Sequence, residues 1–320
     1  MKRKIMNLLC LLMVAAMSLT ACVNASVKDV AVMKIDGQEI MKSEYMVYLY
    51  TTSQGFVSMA GEDVWSMDFD GKTTDELVEE RTISTIQSVI AAKDYAVANG
   101  ISLTEEQKAE AAAAADQFVQ TASADDLKKM NIDVKKLQPL MEDSLLFSLV
   151  YDDIAGECEV DEADIAAYYQ ENKAHLKNDQ TLLDMQTILL DNAETAEEVA
   201  KKAKDGADFM ALFEEYDIDP SAETGGEMSM YQNYVQDTLG VTEELEKGDI
   251  VGPLQMGEGW FVLKITEKTV PAEEELQEWA EELYVYEVQT VYTEARFAEL
   301  TKGQTVEKIQ SAWETLEKFH

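Results

Sequence analysis

The chain is short of the residues from which reactive centres are most often built. Its 320 residues include three cysteines, two histidines and four prolines. The histidines, His175 and His320, lie far apart in sequence, and no Cys-x-x-Cys or His-Glu-x-x-His spacing occurs. A zinc site or a Ser-His-Asp triad would have to be assembled from almost nothing, so neither metal nor cofactor is expected. Cations are scarce as well: 26 Lys and Arg stand against 63 Asp and Glu, a formal net charge of −37. A surface of that sign is repelled by nucleic-acid phosphates and by anionic lipid, which excludes nucleic-acid binding. It serves solubility, and it suits basic, unfolded protein partners. No apolar run reaches the length of an ordinary membrane-spanning helix.

The apolar run that is present sits at the start. Lys2-Arg3-Lys4 precede the apolar stretch 5–17, the make-up of an export leader. Leu19-Thr20-Ala21-Cys22 then resembles a bacterial lipobox. The resemblance implies cleavage before Cys22 and lipidation of its thiol, and a diacylated cysteine is enough for stable anchoring. Residues 1–21 are thus expected to be a signal peptide and 22–29 a lipidated tether. The mature protein is expected on the outer face of the bacterial cell membrane. Cys10 leaves with the leader and Cys22 carries lipid, so Cys158 has no partner for an internal disulfide.

Residues 30–35 and 38–41 flank Asp36-Gly37 and read as a hairpin, with Ser43 as N-cap of a following helix. Residues 50–72, with Phe56, Trp65 and Phe69, read as loop. Thr73-Thr74-Asp75-Glu76 is a capping box for a helix that stops at Asn99-Gly100, and Thr104 through Gln107 opens a second, over 105–120. Leu137, Leu140, Met141, Leu145, Leu146, Leu149 and Val150 form the apolar face of further helix in 123–157, with Pro139 expected in a first turn. A helix opens at Asp161 and reaches Lys173, and 173–180 reads as linker. Pro271 starts a long helix to about Leu300, and 306–319 reads as a final amphipathic helix.

Between these helical stretches, residues 181–268 change character. Leu183 and Met185 alternate with Asp184 and Gln186 in a strand that leads into Ile188-Leu189-Leu190. Two short helices follow, over 196–204 and 208–216, broken at Gly206. Gly225-Gly226 marks a loop needing positive φ or close backbone approach. Residues 259–265 alternate poorly and read as a strand buried on both faces.

Six motifs along this stretch are similar, in order and spacing, to those of parvulin-type peptidyl-prolyl isomerase domains. They are Thr187-Ile188-Leu189-Leu190, Gly206-Ala207-Asp208-Phe209, Asp219-Pro220-Ser221-Ala222, Gly225-Gly226-Glu227-Met228, Lys247 through Pro253, and Gly259 through Lys264. The flanking residues VAVMKIDGQEIMKSEYMVYLY and VDEADIAAYYQENKAHLK resemble the corresponding parts of PrsA/SurA-type foldases. The resemblance implies an α+β chain: a mostly helical chaperone body made of both ends, with an inserted parvulin-like domain. Residues 30–175 would be the N-terminal segment, 181–268 the parvulin-like domain and 271–320 C-terminal helices packed back on the first. Its partners would be unfolded or nascent secreted proteins with prolyl bonds.

Carried over residue by residue, the resemblance places Asp219 at the family's Cys/Asp position. The two histidine positions hold Thr187 and Phe261, and Met256 and Glu258 stand where the family has a Thr/Ser pair. Tyr234 and Leu239 are candidates for lining the proline pocket. Rotation about a peptide bond faces about 18–20 kcal/mol, and a catalyst needs only an apolar pocket and polar groups that favour the twisted amide. With both histidines replaced, two readings stand: a weakened isomerase inside a foldase, and a holdase that only binds peptides. A solute-binding lipoprotein shares the leader and the acidity but would carry repeated strand–helix units, which this chain lacks.

Overall fold

A computed structural model describes residues 28–219, 226–242 and 244–320, the side chain of Leu239 excepted. Cys22 lies outside the described residues. By its internal packing the chain divides into two units, Met1–Cys158 with Gln289–His320, and Glu159–Val288. The second unit is wider than the 181–268 expected for the parvulin-like domain, because helices on either side of that stretch pack onto each other.

In the first unit β1 (Ala31–Ile35) and β2 (Gln38–Met41) form the expected hairpin. Asp36 and Gly37 both take positive φ, 49° and 83°, the backbone that a tight two-residue turn demands. The sheet has a third strand, β9 (Val306–Lys308), antiparallel to β1 with Ile35 opposite Val306 and Met33 opposite Lys308. Residues 306–319 are therefore not one amphipathic helix: only α11 (Gln310–Trp313) is helical there. The free edge of β1 claims Val306–Lys308, and Asp36 secures the approach by accepting the Thr305 backbone N–H at 2.8 Å.

The helix α1 (Lys42–Ala60) begins after Met41, not Ser43. Ser43 is buried and its backbone N–H donates to Asp29 at 3.1 Å, so a carboxylate from outside the helix satisfies this first-turn donor. The helix also runs through the stretch expected as loop. Its stop is Gly61, whose φ is 72° and whose N–H reaches Val57 O at 2.7 Å. A 3-10 turn (Glu62–Ser66) and the two-residue strands β3 (Asp68–Phe69) and β4 (Lys72–Thr73) complete the connection.

Both capping boxes form, on Thr73 with Glu76 and on Thr104 with Gln107. They open α2 (Thr74–Asn99) and α3 (Glu105–Thr121), and Gly100 closes α2 in the left-handed region. The short α4 (Ala124–Met130) leads to α5 (Val134–Gly156), which carries Pro139 in its second turn, not its first. Tyr45, Met46, Ile86, Ile90, Met130 and Leu137 make the main core, with Trp313, Leu316 and Phe319 packed against it. Each such buried side chain is worth about 1.5–3 kcal/mol.

The second unit starts with α6 (Glu162–Gln180), which continues through the expected linker. Leu176 and Tyr169 are buried against Leu276 and Ala280 of α10 (Glu273–Leu300), and Lys173 pairs with Glu273 at 2.6 Å. That packing holds the last turns helical. An antiparallel sheet follows, in the order β6-β5-β8-β7: β6 (Glu227–Tyr231), β5 (Leu182–Leu190), β8 (Gly259–Thr269) and β7 (Ile250–Met256). α7 (Ala193–Lys204) and α8 (Phe209–Tyr216) cover one face through Val199, Ala200, Phe209 and Leu212, which meet Ile188, Leu190 and Val262. α9 (Gln232–Leu239) lies on the other. Val262 and Leu263 are both buried, so β8 is covered on its two faces as its sequence implies. Among the described residues no helix is long and apolar enough to cross a membrane.

Candidate functional site

The face of the sheet away from α7 and α8 is apolar along its whole length but covered along only part of it. Leu183, Met185, Leu263 and Ile265 are buried there beneath Val235, Val241 and Leu245. Register continues the same face toward the far end: Thr187 lies opposite Leu263, Leu189 opposite Phe261, and Phe261 opposite Leu254. These continuing residues are only half-buried. Met256, opposite Gly259, and Met228, opposite Met185, stand at the margins with 40% and 38% of their surface exposed. Among the described residues the outcome is a shallow apolar bed, left uncovered beyond Val235, Val241 and Leu245.

The sequence-expected residues distribute unevenly over this bed. Thr187 and Phe261 share it. The Thr187 hydroxyl donates to the Gly226 carbonyl at 3.2 Å, and its backbone N–H donates to the same oxygen at 2.9 Å. That hydroxyl proton is therefore occupied in holding a loop. Phe261 supplies ring surface and no polar group. Met256 sits on the rim and Glu258 in the exposed turn between β7 and β8. Tyr234 is 52% exposed, whereas its neighbour Val235 is fully buried and is the α9 residue that enters the bed. The side chain of Leu239 is outside the described residues.

Asp219 lies in the loop that follows α8, beside the edge of β5, and the reason is Asp217. The Asp217 carboxylate accepts the Leu189 backbone N–H at 2.8 Å and the Asp219 N–H at 3.1 Å. Ile218 N–H donates to Leu189 O at 3.1 Å. The edge of β5, beyond the end of β6, is thus completed by Gly226 at Thr187 and by residues 217–218 at Leu189. Gly226 is required by space as well as by its φ of 69°, for a Cβ there would lie 2.2 Å from Thr187 O. Gly259 plays a similar part at the other side, since a Cβ would lie 2.7 Å from Leu189 Cδ1.

Asp217, Leu189, Leu254 and Met228 were not among the expected site residues. Leu189 and Met228 have a signal in the alternation of their strands with Met185. Asp217 has only its place two residues before Asp219, which ranks it no higher than any other acid in so acidic a chain. Among the described residues, no group of three or more His, Cys, Asp or Glu is placed to hold a metal ion.

Residues 160–281 match the model of the PPIC-type PPIASE domain. The chain is 24% identical over 316 residues to the foldase protein PrsA of Caldanaerobacter subterraneus subsp. tengcongensis, covering 97% of both chains. Residues 160–281 thus carry a PPIC-type PPIASE domain, in a chain similar over nearly its whole length to a PrsA foldase. The chain is also 29% identical over 157 residues to the chaperone SurA of a Polaromonas species, covering 44% of this chain and 33% of that one. A solved structure of the foldase protein PrsA from Streptococcus pneumoniae superposes with a TM-score of 0.44 at 15% identity, over 74% of this chain and 92% of that one. The matched stretch 160–281 takes in α6 and the start of α10, as the second structural unit does.

Proposed function

We propose that this foldase works outside the cytoplasm, anchored by lipid on Cys22, and that its parvulin domain binds prolyl segments of unfolded secreted proteins on the open apolar bed and isomerises them slowly. The domain organisation that goes with this reading is a leader (1–21), a tether (22–29), a helical body drawn from both ends and the inserted parvulin domain. The observation that carries it is the half-open bed of Leu189, Leu254 and Phe261 with Asp219 held at its edge by Asp217. Prolyl isomerisation needs no nucleophile, only a surface that takes the pyrrolidine ring and a polar group beside the twisting amide. Every 1.36 kcal/mol of preference for the twisted amide gives about tenfold in rate. With Thr187 donating to Gly226 and Phe261 apolar, Asp219 is the polar group on which residual catalysis depends.

The test is cis/trans exchange of a short proline peptide, followed by NMR with the full chain and with Asp219→Ala. Acceleration by the parent that falls at least tenfold in the variant supports the reading. Equal acceleration by both removes Asp219 from it. The second reading, a holdase without turnover, is favoured by Thr187 and Phe261 at the family's histidine positions. It predicts peptide binding with no acceleration by either protein.

A further inference from the structure

The bed described above has an electrostatic character that bears on which prolyl segments it takes. β5 ends at Leu190, which pairs with Trp260, so Asp191 follows at the same end of the sheet as the exposed Glu258 turn. Asp217 accepts the Leu189 N–H at that end, and the Asp219 N–H donates to Asp217. Of the unit's lysines, Lys204 donates to the Gly252 carbonyl of β7, and three others are engaged elsewhere. Lys264 lies on the opposite face over the Phe209 ring, Lys268 bridges Glu244 and Glu246, and Lys247 pairs with Glu267. The rim of the bed at that end carries the exposed Met256, unbranched and polarizable, which adapts to varied apolar partners.

We propose that this bed selects prolyl segments with lysine or arginine beside an apolar-proline pair, and disfavours segments with aspartate or glutamate there. Apolar contact to Phe261, Leu254 and Met256 holds the proline and its neighbour, and Asp191 and Glu258 receive the flanking cation. The inference rests on the reading of the bed as a prolyl-peptide site. Exposed ion pairs are individually weak and screened by salt, so two of them give about a tenfold preference at low ionic strength that shrinks as salt is added.

The test titrates the full chain, methyl-labelled at methionine and leucine, with Ala-Lys-Leu-Pro-Lys-Ala and with Ala-Glu-Leu-Pro-Glu-Ala. The lysine peptide is expected to shift the methyl signals of Leu254, Met256 and Leu189 with about tenfold higher affinity. The double variant Asp191→Asn, Glu258→Gln is expected to lose most of that preference. Glu281→Gln, Glu282→Gln on the exposed side of α10 removes the same charge elsewhere and is expected to keep it. Equal affinities overturn the proposal. So does a preference that both double variants reduce alike, which would follow total charge, and so does binding that leaves all three methyl signals unmoved. Prolyl exchange read in the same spectra separates this from the proposed function. Selective binding without acceleration sinks the isomerase and leaves the selectivity, while acceleration without selectivity does the reverse.

Discussion

Gly226 shows how much one residue decides at this site. Its carbonyl takes both the N–H and the hydroxyl of Thr187, and its Cα is so close that any side chain would strike the Thr187 oxygen. Gly226→Ala combines that collision with a positive φ, and is expected to destabilise the second unit by more than about 2 kcal/mol. Urea unfolding followed by the signals of Leu183 and Ile265 measures it; an unchanged midpoint would contradict the close approach. A second residue-scale effect lies in the first unit. Burial is the main cause that raises the Glu44 carboxyl pKa above its ordinary value, with Lys93 acting against it. A raised folded-state pKa means the folded form holds the proton more tightly. The stability it contributes is present below the unfolded value and is lost as pH rises through the folded one. Glu44→Gln is therefore expected to stabilise the protein at pH 7 and to gain little at pH 4, read from thermal unfolding at both.

At the scale of elements, the strand β5 and the loop after α8 depend on a single carboxylate. Asp217→Ala leaves the Leu189 and Asp219 N–H groups without this acceptor, an expected loss of about 1–3 kcal/mol. Asp217→Asn keeps an acceptor oxygen and should retain more than half of that stability. The two variants together, compared by denaturant midpoint, separate the hydrogen bond from the charge. Much of the element pattern was legible beforehand because it rests on local chemistry. The Thr73 and Thr104 capping boxes, the Gly100 stop and the Asp36-Gly37 turn are short-range devices, and all form. What misled were elements whose extent is decided at long range. Residues 173–180 stay helical because Leu176 meets Leu276 and Ala280, and 306–308 is a strand because β1 has an edge to pair. The site was legible to the same degree. Thr187 and Phe261 follow strand parity to one face, while nothing local tells which side of an eight-residue helix meets a sheet, and on α9 it is Val235 that is buried and Tyr234 that is exposed.

Across the whole molecule the two ends of the chain make one unit. β9 closes the edge of β1, and Trp313 lies 4.8 Å from the Tyr45 ring, centroid to centroid. Deleting residues 306–320 removes a strand, this stacking and the packing of Leu316 and Phe319. The first unit is expected to lose cooperative unfolding near ambient temperature, whereas the sheet signals of the second keep their transition, as hydrogen exchange can read separately for each. The sequence by itself determined the class, the caps, the turns and the strand that is buried twice, because periodicity and capping act over a few residues. Only the tertiary structure decided that, among the described residues, the apolar face of the sheet is covered at one end and uncovered at the other, and that the Asp217 carboxylate takes the N–H groups of both Leu189 and Asp219. Such facts depend on which distant residues arrive at a surface, and burial and hydrogen-bond partners over that range have no counterpart in local pattern.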